Sequence, residues 1–226
     1  MQIKKPELVI FDMDGTMLDT EMLSIKGWEV AVAQQVPNFS RELFVKTFHS
    51  MIGTNYESCK RIVTELMPEF DFEKGYQVSY AYMDEYMATH GVPIKAGLLE
   101  LLDKLEALNI KKCVATSTRK ERATHKLKLA NIAHRFDVIV GGDDVALSKP
   151  NPDIFLKAAS ICGIAPENCL VLEDSAAGTE GGYRAGMQVI VIPDLLPPSE
   201  ETKKMAATVC KDLHEVAAVI DNAKVN

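Results

Sequence analysis

The sequence contains no long apolar run. Its N-terminal stretch, MQIKKPELVIFD, offers only LVIF, too short for the apolar stretch of a signal peptide or for a membrane span. A cytoplasmic chain with no membrane partner is therefore expected. Basic residues are in deficit, 25 Lys and Arg against 32 Asp and Glu, for a net charge of −7. That balance excludes the basic face of a general nucleic-acid binder. It leaves room for a small anionic substrate, because a bound metal overrides the global charge locally. The five cysteines, Cys59, Cys113, Cys162, Cys169 and Cys210, form no C-x-x-C pair and read as small buried residues of a reducing compartment. His49, His90, His125, His134 and His214 show no H-x-H or H-x₃-H spacing and read as surface or cap residues. Neither G-x-x-x-x-G-K-[ST] nor G-x-G-x-x-G occurs, so no nucleotide-binding loop is indicated. No internal repeat is present.

What is there is ordinary globular material, 47% hydrophobic and 25% charged, over 226 residues. That length suits one large domain, or one domain carrying an insertion. Short β-branched runs at Leu8–Phe11, Cys113–Ala115, Val138–Val140, Leu170–Leu172 and Val189–Ile192 predict buried strands. Leucines between Leu98 and Leu108, and Phe155, Ala158, Ala159 and Cys162, keep helical spacing. Strand and helix thus alternate from Leu98 onward, as in a parallel sheet covered on both faces. Residues 17–90 break the rhythm. They hold helical patterns such as Trp28, Val32 and Val36, or Tyr76, Tyr80, Met83 and Met87, punctuated by Gly53 and Pro68. The reading is an α/β protein: a doubly wound, Rossmann-like parallel-sheet core from residues 1–16 and 91–226, with an all-α helical-bundle cap, residues 17–90, inserted after the first strand. Glu200 begins a solvated helix, and Asp212–Asn226 forms a terminal one. A monomer is expected.

Open parallel sheets bind ligands beyond the carboxyl ends of their strands. Asp12-Met13-Asp14-Gly15-Thr16 follows the first run and Thr116-Ser117-Thr118 the second. Gly141-Gly142-Asp143-Asp144, leading to Ser148-Lys149-Pro150, follows the third, and Glu173-Asp174-Ser175 the fourth. Each has a bland reading as a turn, a solvated loop or a helix cap. Their joint occurrence, one per strand end, points to a single site. Crowded carboxylates repel unless a cation is present. Oxygen donors with retained waters suit Mg²⁺. A cation plus Lys149 would neutralise a phosphoryl group. One carboxylate can attack phosphorus while a second shuttles the proton. The Thr116 and Ser117 hydroxyl and N–H groups can take phosphate oxygens. Gly15 permits a sharp turn.

These segments resemble the four motifs of the haloacid dehalogenase (HAD) superfamily, in the subgroup whose helical C1 cap follows the first strand. Phe11-Asp12-Met13-Asp14-Gly15-Thr16 is similar to its DxDGT opening, and Val114-Ala115-Thr116-Ser117 to its second motif. Ser148–Phe155 is similar to the third and Leu172–Gly178 to the fourth. The resemblance implies an aspartyl-phosphate enzyme with Mg²⁺ as cofactor and a small phosphorylated metabolite as substrate. Asp12 would be nucleophile and metal ligand. Asp14 would be the general acid/base, with its carbonyl on the metal. Thr116 and Lys149 would hold the phosphoryl oxygens. Asp174, aided by Glu173, would ligate the metal. Substrate contacts are expected from Gly15, Thr116, Ser117, Thr118 and Lys149, and from Gly53, Thr54 and Asn55 of the cap loop. Asp14 separates the chain from dehalogenases and phosphonatases, which replace that residue.

Within the subgroup the chain is most similar to β-phosphoglucomutases and sugar-phosphate phosphatases. The mutases carry Arg where Asn55 aligns and His where Ser24 aligns, and residues 49–58 contain no Lys or Arg. Hydrolysis of a small phosphomonoester is therefore expected. A phosphomutase and a non-catalytic phospho-receiver are the alternatives. Gly181 and Gly182, inside the helix after the fourth motif, cost about 1 kcal/mol each against Ala and suggest close packing on the sheet.

Overall fold

The computed structural model describes residues 3–224. Met1, Gln2, Val225 and Asn226, which the expected boundaries included, lie outside the described residues. Six parallel strands form one sheet in the order β3-β2-β1-β4-β5-β6. They are β1 (Leu8–Phe11), β2 (Lys111–Ala115), β3 (Val138–Val140), β4 (Cys169–Glu173), β5 (Gln188–Val191) and β6 (Thr208–Val209). All five expected runs are strands. The sixth, two residues long, was not foreseen.

Alternation along each strand sends side chains to opposite faces. Val9, Phe11, Val114, Leu170, Leu172 and Ile190 pack beneath α5 (Leu98–Ala107), α6 (Lys120–Leu129) and α10 (Leu213–Asp221). Leu8, Ile10, Cys113, Ala115, Val171 and Val189 face α7 (Asp153–Cys162). Burial on both faces is the reason these strands read as continuous apolar runs. Each fully buried aliphatic side chain contributes about 1.5–3 kcal/mol. Two further helices are α8 (Ala176–Arg184) and α9 (Glu200–Met205). Of the two glycines of α8 expected to pack on the sheet, Gly182 does, a Cβ there standing 2.8 Å from Val189 Cγ2, whereas Gly181 meets Phe155 of α7, at 3.1 Å from a Cβ.

Between β1 and α5 lie four helices: α1 (Glu21–Gln35), α2 (Arg41–Met51), α3 (Tyr56–Leu66) and α4 (Phe72–His90). Side chains of Ser40, Asn55 and Asp71 cap α2, α3 and α4 by accepting from Leu43, Ser58 and Lys74 N–H. The helices bury a core of their own. Trp28 packs on Phe70 and Phe72 at 6.1 and 5.6 Å between ring centres. Where the chain leaves and re-enters the sheet region, its two segments run side by side. Asp19 N–H donates to Pro93 O and Lys95 N–H to Met17 O, both at 2.9 Å.

Candidate active site

The carboxyl ends of β1, β2 and β4 open into a cavity of ≈ 130 Å³, whose far wall is the helical segment. Asp12, Asp14 and Asp174 line it, as do Thr116, Ser117, Thr118, Gly53 and Thr54. Four expected residues are not in its lining. Lys149 and Glu173 sit behind it, Gly15 forms the turn beside Asp174, and Asn55 lies outside. Asn55 Oδ1 is committed to the N–H of Ser58, as the cap of α3.

β1 sets Asp12 by continuing its ladder: Asp12 N–H donates to Leu172 O at 2.9 Å. Its carboxylate meets Lys149 Nζ at 2.5 Å. Lys149, only 3% exposed, also holds Glu173 Oε1 at 2.6 Å and Ala115 O at 3.3 Å. Burial pulls the lysine's pKa down, but Asp12 and Glu173 outweigh it, and the net direction is up. Burial, opposed by Lys149, pushes Asp12 above the usual carboxylate range. Glu173 is fully buried with both oxygens engaged. Oε2 accepts from Ser175 N–H at 2.8 Å and Ser175 Oγ at 2.9 Å. Nothing larger than glycine fits over it: a Cβ on Gly178 would stand 1.7 Å from Oε1. The carboxylate expected to assist a metal is thus occupied in fixing Lys149 and the start of α8.

Asp14 is held by three donors from three segments. Thr20 Oγ1 and Lys126 Nζ donate to Oδ1 at 2.5 and 2.6 Å, and Thr118 Oγ1 donates to Oδ2 at 2.8 Å. Burial raises its pKa, yet Lys126 and the hydroxyls overcome this and hold it below the usual range. Thr20 occupies the N-cap position of α1 without capping it, its hydroxyl being spent on Asp14. The Thr-Ser-Thr cluster divides three ways. Thr116 Oγ1 accepts from Thr118 N–H at 3.1 Å, which leaves its O–H free to donate into the cavity. Ser117 Oγ ties to Gly53 O at 2.8 Å, joining the sheet edge to the helical segment, and Thr118 serves Asp14.

Among the described residues the Asp174 carboxylate has one hydrogen-bond donor, Thr16 Oγ1 at 3.1 Å. Gly15, at φ +84°, turns tightly enough that a Cβ there would stand 2.5 Å from Asp174 Oδ2. Burial first, then Glu173 and Asp12, push Asp174 well above the ordinary carboxylate range. A buried carboxylate short of donors, facing a second one, is the donor set a hard divalent cation satisfies. No group of three or more His, Cys, Asp and Glu side chains is spaced for a metal among the described residues. The expected set was Asp12, Asp174 and Glu173 with the Asp14 carbonyl; of its carboxylates, Glu173 is taken up by Lys149 and Ser175, which leaves Asp12 and Asp174 at the cavity.

Sequence reasoning missed Lys126, Thr20 and Glu21, all in the lining. Lys126 shares the inward face of α6 with Ala123 and Leu127, and a lysine on an apolar stripe was the available signal. Glu21 lies against the cavity with its pKa pushed up to about 8, by burial and then by Asp14. Arg119 reaches the cavity edge with its guanidinium 4.0 Å from the Tyr56 ring centre. All five histidines are exposed, and none lines the cavity.

Comparison with known proteins fits this arrangement. Residues 9–192 match the family model described as haloacid dehalogenase-like hydrolase. The chain is 28% identical over 184 residues, 81% of its length and 83% of the relative's, to the phosphorylated carbohydrates phosphatase of Thermotoga maritima. It is 30% identical to protein CbbY of Rhodobacter capsulatus, covering 86% of each. It is 28% identical to the fructose-1-phosphate phosphatase YqaB of Escherichia coli, over 80% of this chain and 94% of that one. Among solved structures, CbbY of Rhodobacter sphaeroides in complex with phosphate superposes with a TM-score of 0.80 at 24% identity, over 96% and 99% of the two chains.

Proposed function

The chain belongs to the haloacid dehalogenase-like hydrolase family, and on that basis we propose that it hydrolyses a small phosphomonoester, a sugar phosphate or similar metabolite, through a phosphorylated Asp12. The observation that carries this reading is the buried Lys149, which ties Asp12 to Glu173 at the wall of a cavity shared with Asp14 and Asp174. The names of the phosphorylated carbohydrates phosphatase and the fructose-1-phosphate phosphatase support the substrate class.

In this mechanism an oxygen of Asp12 attacks phosphorus as the bond to the leaving oxygen breaks. Asp14, a carboxylate at rest beside Lys126, takes up a proton as the phosphomonoester monoanion enters and delivers it to that oxygen. Water then attacks the phosphoaspartate, Asp14 takes the water's proton, and phosphate departs with the Asp12 carboxylate restored. Lys149 and the Thr116 hydroxyl hold the charge on the phosphoryl oxygens. Mg²⁺, held by Asp12, Asp174 and the Asp14 carbonyl, would supply electrostatic neutralisation of that group. Residues 17–90 act as the cap, moving about the paired segments at 17–19 and 93–95 to admit substrate and exclude water.

A phosphomutase would use the same intermediate but must also grip a second phosphate on the cap side. Arg119 is the guanidinium in the lining that favours that alternative. The test is phosphate release from sugar phosphates, glycolate phosphate and nucleoside monophosphates, with Mg²⁺ and with chelator. Metal-dependent release is expected, falling at least about 10³-fold in Asp12→Asn. No turnover on any member would overturn the reading. Isomerisation of a sugar 1-phosphate in the presence of a bisphosphate would favour the mutase.

A further inference from the structure

The geometry points to Lys126 as a positioning residue for Asp14, selecting which oxygen of that carboxyl handles the proton; this rests on the phosphomonoester reading above. Lys126 is 4% exposed, on the face of α6 that carries Ala123 and Leu127. An ammonium in such a place costs several kcal/mol unless it is paired. Its ion pair is with Asp14, 2.6 Å from Oδ1. A helix that needed only to pack on the sheet is better served by Leu or Met at this point, so the lysine is there for the carboxylate.

The three donors on Asp14 are not equivalent. A hydroxyl donates or accepts, and so tolerates either protonation state of its partner. An ammonium only donates. While Lys126 holds Oδ1, that oxygen cannot carry the proton, and the Thr20 hydroxyl occupies it as well. The proton must travel on Oδ2, whose partner Thr118 can turn to accept from it. Lys126 therefore fixes Oδ2 as the oxygen that gives its proton to the leaving group while the phosphorus–oxygen bond breaks. The same oxygen then receives a proton from the attacking water.

A proton donor matters when the leaving group is poor, and little when it departs readily as an anion. The test compares kcat/KM for 4-nitrophenyl phosphate and for the best alkyl phosphate of the substrate panel. It uses wild type, Lys126→Met, Lys126→Arg, Asp14→Asn and the Lys126→Met/Asp14→Asn double variant. Lys126→Met is expected to lose about 10²-fold on the alkyl ester and less than about 5-fold on the aryl ester, the size of one general-acid contribution. Lys126→Arg should recover part of the loss, and the double variant should be no worse than Asp14→Asn alone. Equal losses on both esters would overturn the inference. So would a double variant that falls below Asp14→Asn by the full Lys126→Met factor, since Lys126 would then act independently of Asp14. Thermal melts check folding, and Lys126→Gln carries the same comparisons if the Met variant is unfolded. A wild type inactive on both esters would instead end the phosphomonoester reading itself.

Discussion

The two walls of the cavity are built on different terms. On the sheet side, Asp12, Asp14, Thr118, Lys126 and Asp174 each make specific hydrogen bonds to residues distant in sequence. On the helical side the lining is Trp28, Phe48, Met51, Tyr56, Tyr76 and Tyr80, with Glu21 as its carboxylate. The Glu21 carboxyl has no hydrogen bond or ion pair among the described residues, though Lys126 is near enough to favour its charge. The first wall holds charge at fixed positions, as phosphoryl transfer requires. The second offers ring faces and one carboxyl, which on the proposed function would bear on what leaves rather than on how the bond breaks. On the proposed function, bond-breaking chemistry and leaving-group choice would be carried by separate stretches of chain, joined where Ser117 meets Gly53.

The hardest blow to this division is Lys149→Met. It strands Asp12 and Glu173 together in the interior, and removing one partner of a buried pair costs about 3–5 kcal/mol. A loss of at least ~10²-fold in kcat is expected on every substrate of the panel. Melting curves beside the rates separate lost stability from lost catalysis. A Lys149→Met effect confined to some substrates would mean that the sheet wall also selects.

On the other wall, Tyr56→Leu removes the ring beneath Arg119. It should reorder kcat/KM across the panel by about 10-fold, the worth of one pocket contact, without changing the Mg²⁺ concentration that half-saturates activity. A uniform loss with weakened metal dependence would contradict the separation.

The smallest effect concerns Glu21. In the unfolded chain this carboxyl ionises near its ordinary 4.5, whereas folded it keeps its proton until about pH 8. The fold therefore loses stability as pH rises from 4.5 toward 8, and none of that stability returns above 8. Glu21→Gln should melt higher than wild type at pH 9 in chelator, by roughly 2–4 °C for each kcal/mol recovered, and equally at pH 4. An unchanged melting temperature at pH 9 would show that the helical wall tolerates the charge.

Much of the sheet wall was legible because strands and their polar ends follow local rules. A β-branched run ending in acid or hydroxyl residues marks both the strand and its functional edge. What stayed hidden depends on partners far away in the chain. Lys126 stands out on the apolar stripe of α6, but nothing near it in sequence says that Asp14 is its partner. Thr20 looks like a helix cap, but its hydroxyl goes elsewhere. Asn55, expected to contact substrate, has its Oδ1 on the N–H of Ser58 as the cap of α3. β6, only Thr208 and Val209, is too short for any periodicity, and exists through its pairing with β5. The helical wall was legible as helices but not as a surface, since Tyr56 of α3 meets Tyr76 and Tyr80 of α4 only after the two helices pack.

The central claim is that Asp12 becomes phosphorylated. Wild type turning over a phosphomonoester with Mg²⁺, quenched in acid and reduced with borohydride, should yield homoserine at position 12 by mass spectrometry of its peptides. Reduction at Asp14 or Asp174 instead, or full turnover with position 12 always recovered as aspartate, would contradict the account.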